Sequence, residues 1–240
     1  MKKIVILFAC ALAFVPGLWS NEDQNPASQR QETAPLSIQV YQREEIVPLL
    51  PLLNTWNTDA FGPFPYLYAP REDQLISMAD FAYVNEKNAL VIVAKKGEQI
   101  VGIAGGAPLD SFYMANHYFT PELIKSMKNK EYDPSDYFYV GYFLIAPEFR
   151  GDLSVIESIY DRLVEFSRSI GKTQLAYISV LLADNHPMKP DVFSSPEPWG
   201  TAITGFSSMD LFTQMQWPTY QADGSIADQK HILQFYRKAI

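Results

Sequence analysis

Two hydrophobic patterns alternate along the chain from Leu36 onwards. In some runs every second residue is apolar, or nearly every residue is, which is typical of β-strands. In other runs the apolar residues recur every three or four positions, as they do in amphipathic helices. The strand pattern covers 37–42, the two arms of a hairpin within 89–108, 137–147, 174–182, 209–217 and 231–238. The helical pattern covers 44–56, 72–83, 121–130 and 151–171.

Turn and cap residues punctuate these runs. The hairpin turns at 95–98, where Gly97 can adopt a positive φ. Pro48 and Pro51 are expected to break or bend the first helix, and Pro121 suits the first position of its helix. Gly171 is expected to end the last helix. The boundaries of the predicted elements therefore have local chemical causes.

The predicted elements follow the order β, α, α, β-β, insertion, β, α, β, loop, β-β. No repeat and no charge run divides them, so we expect one α+β domain over 36–240. The strand–helix–strand unit from Tyr137 to Leu182 is expected to form a right-handed crossover between parallel strands.

The first twenty residues have the layout of a secretory signal peptide. Lys2 and Lys3 precede the apolar run 4–14, which is too short to cross a bilayer comfortably, and Ser20 is a small residue at the expected cleavage point. We predict removal of 1–20, a flexible leader over 21–35, an exported protein and no stable membrane anchor after cleavage. The alternatives are a buried N-terminal element and lipidation at Cys10.

Composition and charge exclude several function classes. The chain has 240 residues, of which 48% are hydrophobic and 19% charged, so it can bury a sizeable core. Its net charge is -8, and removal of the predicted signal peptide 1–20, which has two lysines and no acid, would make this -10. We therefore expect no nucleic-acid partner and a preference for cationic ligands. The single cysteine, Cys10, lies in the predicted signal peptide, and one cysteine cannot form a disulfide framework.

The three histidines are too far apart in the sequence to predict a metal site, and we expect none. His117 could act as a base over an acceptor pocket or be an exposed loop residue. His186, in a proline-rich loop, could approach a site. His231 begins the last predicted strand and is expected at the surface.

The segment 143–154 links a strand to a helix through the turn Ala-Pro-Glu-Phe-Arg-Gly. A helix N-terminus fed by a glycine turn offers free backbone N–H groups and the positive end of the helix dipole to an anion. This sequence resembles the acyl-CoA binding core of the GNAT superfamily of N-acyltransferases, and the element order over 36–240 is similar to that fold. The resemblance implies a mixed, mostly antiparallel central sheet with splayed central strands and flanking helices.

The resemblance also implies site residues and a cofactor. The backbone of Phe143, Leu144 and Ile145 would bind the pantetheine arm of acetyl-CoA. The turn and the first helical residues would cradle its diphosphate; these residues are Arg150, Gly151, Asp152 and Ser154. The acceptor would be a small-molecule or peptide amine that attacks the thioester directly.

Candidate catalytic residues follow from the same resemblance. Asn185 matches a position that often orders water or substrate in the family. Tyr139 and Tyr142 lie in the aromatic strand where a general base is common; a tyrosine near its ordinary pKa of about 10 suits an acid better than a base at neutral pH. These aromatic residues could equally be packing within the sheet.

Departures from the family pattern leave a second hypothesis open. Leu153 and Val155 stand where the family usually has small residues, and the carboxylate of Asp152 in the first helical turn opposes a diphosphate. The chain is therefore either an exported N-acetyltransferase or a non-catalytic ligand- or protein-binding module of the same fold. Export and a cytosolic acyl donor are compatible if the protein is delivered into another cell. A serine hydrolase is disfavoured because no G-x-S-x-G motif is present.

Overall fold

The computed structural model describes residues 34–62, 66–69, 83–115, 119, 121–180 and 205–240. The predicted signal peptide, the leader up to residue 33 and nearly all of the predicted helix over 72–83 lie outside these residues. So do His117, Asn185 and His186.

A seven-stranded sheet runs through the described residues in the spatial order β1-β2-β3-β4-β5-β7-β6. Its strands are β1 Leu36–Tyr41, β2 Leu90–Lys96, β3 Gln99–Pro108, β4 Tyr137–Ile145, β5 Gln174–Val180, β6 Ser207–Tyr220 and β7 Ile226–Ala239. Every neighbouring pair is antiparallel except β4 and β5, which are parallel. The predicted α+β class with a mixed, mostly antiparallel sheet and one parallel crossover pair is confirmed.

Helices flank both faces of this sheet. In the part of the chain that the structure describes they include α1 Leu50–Phe61, α2 Pro121–Asn129 and α3 Leu153–Ser169. Residues of α1 and α2 pack into the core on one face, and those of α3 pack into the core on the other. The proline prediction is confirmed, because a 3-10 helix over Arg43–Leu49 contains Pro48 and the α-helix begins just before Pro51. No helix among the described residues is long and apolar enough to cross a membrane.

A bulge in β4 changes which residues face which side. Gly105 pairs with Tyr142 and Gly106 with Val140, so Gly141 is an extra residue in β4. Tyr139 and Tyr142 consequently face the same side although they are three positions apart. A strict alternation of faces along the strand would have placed them on opposite sides.

The hairpin of β6 and β7 is longer than the sequence pattern predicts, with fourteen residues in each strand. Because β7 begins five residues before His231, this residue lies in the middle of the strand. Its alternation places His231 on the core side, 9% exposed, with its ring stacked on Trp217 at 3.5 Å between centroids. Thr219 Oγ1 lies 2.9 Å from its Nε2. The surface position expected for His231 is therefore wrong.

Candidate functional site

The parallel strands β4 and β5 separate partway along their length. They pair only through Tyr137–Tyr139 and Gln174–Ala176, yet β4 continues to Ile145 and β5 to Val180. β3 pairs with β4 as far as Ile145, and β7 pairs with β5 as far as Val180, so each strand is held from its outer side. The predicted splay is present and begins beyond Tyr139 and Ala176, which leaves a cleft between two supported strands.

The three predicted pantetheine-binding residues lie on the β4 side of this cleft. Phe143 and Ile145 face the α3 side of the sheet, whereas Leu144 faces the α1 side. The carbonyl oxygen of Ile145 accepts a hydrogen bond from Arg150 Nε at 3.4 Å. The structure thus brings these residues next to the turn that the sequence singled out.

A compact turn leads from β4 into α3. It contains a 3-10 helix over Pro147–Phe149, and the Asp152 N–H donates to the Phe149 carbonyl at 2.9 Å. A methyl group added at Gly151 would meet no atom within 4 Å, so open space adjoins this residue. Burial lowers the pKa of Arg150, while the nearby Glu148 carboxylate acts in the opposite direction. The turn places a partly desolvated guanidinium beside the opening of the cleft.

The carboxylate of Asp152 caps the N-terminus of α3. Its Oδ1 accepts hydrogen bonds from the Ser154 N–H at 3.0 Å and from the Ser154 hydroxyl at 2.6 Å. Its Oδ2 accepts a hydrogen bond from Lys96 Nζ, also at 2.6 Å. Two predicted cofactor-binding residues, Asp152 and Ser154, are thus bonded to each other, and a lysine from β2 completes the cluster.

These contacts stabilise the charged form of Asp152. The hydrogen bond from Lys96 is the largest cause and those from Ser154 follow, and together they lower the pKa of Asp152 from 3.8 to about 2. Burial acts in the opposite direction but is weaker. The cluster is therefore an ion pair at neutral pH.

We expect this pair to make stability depend on pH in the acid range. Because the folded-state pKa lies below the unfolded-state value of 3.8, the contribution is complete above about pH 5 and is lost as pH falls through about 2. The difference in pKa corresponds to at most about 2.5 kcal/mol. Since 27% of the Asp152 side chain is exposed, solvent screening reduces this to about 1–2 kcal/mol.

Urea unfolding of the native chain and of Asp152→Asn, at pH values from 2 to 7, measures this contribution. Asparagine keeps the helix cap and removes only the charge. The gap in unfolding free energy between the two proteins should shrink as pH falls from 5 to 2. A gap that is constant over this range would show that the ion pair does not stabilise the fold.

The candidate catalytic tyrosines are both fully buried on the α1 side of the sheet. Tyr139 is the last β4 residue paired with β5, at the closed end of the cleft, and its ring meets Phe119 edge-on at 5.1 Å. Tyr142 meets Tyr83 edge-on at 5.6 Å. The acid role of both tyrosines stays a prediction, as does the role of Asn185 in ordering water or substrate.

Three residues near the turn were not identified from the sequence. Lys96 bonds Asp152 across 56 positions, and Trp56 and Asp59 of α1 line a pocket beside the end of β4. The sequence around Lys96, at a hairpin turn, and around Asp59, near a helix end, gives no indication that these residues lie close to the turn after β4. Only the basic character of the predicted turn at 95–98 could have drawn attention to Lys96.

Comparison with known proteins gives a likeness in fold. No protein-family model matches the sequence, and no curated protein matches it. Solved structures similar to this chain include yncA from Salmonella typhimurium, which is described as an acetyltransferase and was solved with acetyl-CoA. The two sequences are 12% identical, the alignment covers 85% of this chain and 93% of that chain, and the TM-score is 0.48.

Two further solved structures are described as acetyltransferases of ribosomal proteins. The ribosomal-protein-alanine N-acetyltransferase of Brucella melitensis has 16% identity, with coverage of 84% and 99% and a TM-score of 0.47. The ribosomal-protein-S18-alanine N-acetyltransferase of Escherichia coli has 10% identity, with coverage of 85% and 94% and a TM-score of 0.44.

Proposed function

We propose that this chain is an exported N-acetyltransferase that transfers an acetyl group from acetyl-CoA to an amine. The separation of β4 from β5 beyond Tyr139 and Ala176 carries the proposal. A strand held on one side by β3 and facing a cleft on the other can form ladder-type hydrogen bonds with an extended, amide-bearing chain. The pantetheine arm of acetyl-CoA is such a chain.

Some residues at the turn favour binding of a diphosphate and one opposes it. Gly151 leaves open space, and Lys96 and Arg150 place two cations near the α3 N-terminus. Asp152 already uses the Ser154 N–H and Lys96 Nζ, so a diphosphate would have to share or displace this carboxylate. The cradle is therefore usable, and Asp152 is expected to weaken binding there.

Bound acetyl-CoA would supply an activated acetyl thioester in the cleft. The chain must then hold a neutral amine beside the Phe143–Ile145 stretch and exclude water from it. Phe143 and Val180, on the separated parts of β4 and β5, are apolar and each only 8% exposed, so little water reaches these side chains. We propose that Tyr139, at the closed end, would donate a proton to the thiolate that leaves as the C–S bond breaks, and that the proton released by the attacking amine would restore Tyr139.

One preparation of the 240-residue chain tests both export and the binding of acetyl-CoA. The 240-residue chain is produced in a bacterial host and purified from the periplasmic fraction. Mass spectrometry measures the mass of the purified protein, and calorimetric titration measures its binding of acetyl-CoA. We expect loss of residues 1–20 and a dissociation constant in the micromolar range. No heat and no thermal shift at millimolar acetyl-CoA would contradict the enzyme, and recovery only from the cytosol with 1–20 intact would contradict export.

A second candidate function is a non-catalytic module that binds a ligand or protein through the same cleft. This function is favoured by the contacts at the N-terminus of α3. Asp152 already accepts hydrogen bonds there from the Ser154 N–H and hydroxyl, which a diphosphate would otherwise use. This module would bind an amine or peptide in the calorimeter and give no response to acetyl-CoA.

A further inference from the structure

In the part of the chain that the structure describes, β6 is the strand at one edge of the sheet. Its pairing with β7 is regular from Phe212 to Tyr220. In an antiparallel ladder, alternate residues direct both their N–H and C=O groups towards the partner strand, and the residues between them direct theirs away. Every second residue of β6 therefore presents its backbone groups on the side opposite β7.

Two contacts identify which residues these are. The Ala69 N–H donates to the Pro218 carbonyl at 2.9 Å. The Tyr220 N–H donates to the Leu67 carbonyl at 2.8 Å. Since the register is unbroken from 212 to 220, the other even-numbered residues direct their backbone groups to the same side. Within the described ranges these groups have no hydrogen-bond partner on Phe212, Gln214 and Gln216.

The open section of β6, Phe212–Gln216, is closed off at both ends. Before it, the Asp210 carbonyl accepts a hydrogen bond from Lys130 Nζ, and the ladder with β7 is irregular between Ser208 and Phe212. After it, Pro218 has no N–H, and its carbonyl is already bonded. Asp210 and Pro218 each lie four residues from Gln214. The open section is therefore centred on Gln214.

This symmetry suits pairing with a second copy of the same strand. An antiparallel pair with its two-fold axis at Gln214 sets that residue opposite its own copy, and Phe212 opposite Gln216 of the second copy. Each such pair of residues exchanges two hydrogen bonds, so every open N–H and C=O group of the section is satisfied. An axis at any other residue would set part of the section opposite Asp210 or Pro218.

The side chains of the section are compatible with this pairing. Like charges directly opposite each other destabilise a strand pair, and a charged residue at a two-fold axis always meets its own copy. Residues 211–219 carry no charge, although 19% of the residues in the chain are charged. Phe212 is 45% exposed, and pairing would place it beside the stem of Gln216 of the second copy. The section therefore joins uncharged residues and brings an exposed ring into contact.

We propose that this chain forms a homodimer in which the two copies of β6 pair antiparallel over Phe212–Gln216, with the two-fold axis at Gln214. The two sheets then form one continuous sheet. A section this short makes an interface at the small end of the range for protein pairs, so we expect a dissociation constant in the micromolar range. Strands β7 and β5 separate this edge from the cleft, so the dimer does not depend on the proposed acetyl transfer.

Cysteine cross-linking tests the position of the axis. Cys10→Ser removes the single cysteine of the full chain, and one cysteine is then introduced at a time. Opposed residues that exchange hydrogen bonds have Cα atoms about 5.5 Å apart, which a disulfide can bridge. Gln214→Cys should therefore form a covalent dimer on mild oxidation. In the matched variant Gln216→Cys the two cysteines would lie about 14 Å apart, so its dimer yield should be at least fivefold lower.

Sedimentation equilibrium of the full chain at several concentrations measures the dimer without a cross-link. Gln214→Lys, at an exposed position, sets two like charges at the axis and should weaken the dimer about fivefold or more at low salt. Gln39→Lys is the matched control, because it makes the same exchange at an exposed position of β1, the opposite edge strand. It should leave the dissociation constant unchanged.

Three results would overturn the proposal. A native chain that is monomeric up to millimolar concentration would leave this edge to a partner of another kind. Equal cross-linking of Gln214→Cys and Gln216→Cys would reject the axis at Gln214. A dimer that Gln214→Lys and Gln39→Lys affect equally would place the interface elsewhere. Circular dichroism of each variant shows that it is folded, so that loss of the dimer is not loss of the fold.

Discussion

Gly105→Ala should lower the free energy of unfolding by about 1–3 kcal/mol. Gly105 lies opposite Tyr142 in the β3–β4 ladder, and the Tyr142 ring lies directly over its Cα. A methyl group at this position would overlap the ring and its hydroxyl. Tyr142 is fully buried and packs edge-on against Tyr83, which lies over Gly141, so the ring has no space into which to move.

Gly151→Ala is the matched control for this substitution. The same methyl group meets no atom within 4 Å there, and Gly151 is not among the glycines with positive φ. Its effect should lie within about 0.5 kcal/mol, or be slightly stabilising because alanine restricts the unfolded chain. Urea denaturation of both variants makes the comparison. Equal stability of Gly105→Ala and the native chain would show that the tyrosine packing is loose.

Asp152→Asn should bind acetyl-CoA about ten- to thirtyfold more tightly than the native chain at pH 7 and low salt. Each like-charge contact at about 4 Å costs about 1 kcal/mol in water, and a diphosphate carries two charges. Asparagine retains the N-cap of α3 but no longer neutralises Lys96. The substitution therefore changes the charge of the cradle and leaves its backbone in place.

Calorimetry with acetyl-CoA and with ADP measures this gain, since ADP carries the diphosphate without the pantetheine arm. Lys96→Met should weaken binding of both ligands, and the gain in Asp152→Asn should decline as salt is raised. Unchanged or weaker binding by Asp152→Asn would place the diphosphate elsewhere and remove the turn from the proposed donor site.

Several elements of the fold are encoded in short stretches of sequence. The hairpin turns at Gly97, which has φ of 59°, and α3 ends at Gly171, which has φ of 78°. In both places the positive φ favours a residue without a Cβ, so the residue type indicates the turn. The apolar stripe of α3, with Ile156, Ile159 and Leu163 buried, has the same local origin.

Parts of the candidate site follow from the same local patterns. The strand–turn–helix junction placed Ile145, Arg150 and Gly151 together, because residues close in sequence at a turn are close in space. The pantetheine-binding residues and the splay were predicted only through the resemblance to a family. The role of the donor site stays a prediction, and so does that of Asn185.

Contacts between distant segments were not accessible in this way. Lys96 and Asp152 form an ion pair because the end of β2 lies beside the start of α3. Asp59 and Glu148 line the same pocket only because α1 packs beside the end of β4. The burial of His231 depends on how far the β6–β7 ladder extends, which the partner strand determines.

Periodicity, proline, glycine and cap residues thus define where most strands and helices lie in this chain, since they act through neighbours in sequence. The bulge at Gly141, the point at which β4 and β5 separate and the charges around the turn were decided by the tertiary structure. Each depends on which distant backbone or side chain comes within hydrogen-bonding or electrostatic range, and hydrophobic pattern carries no information about that distance.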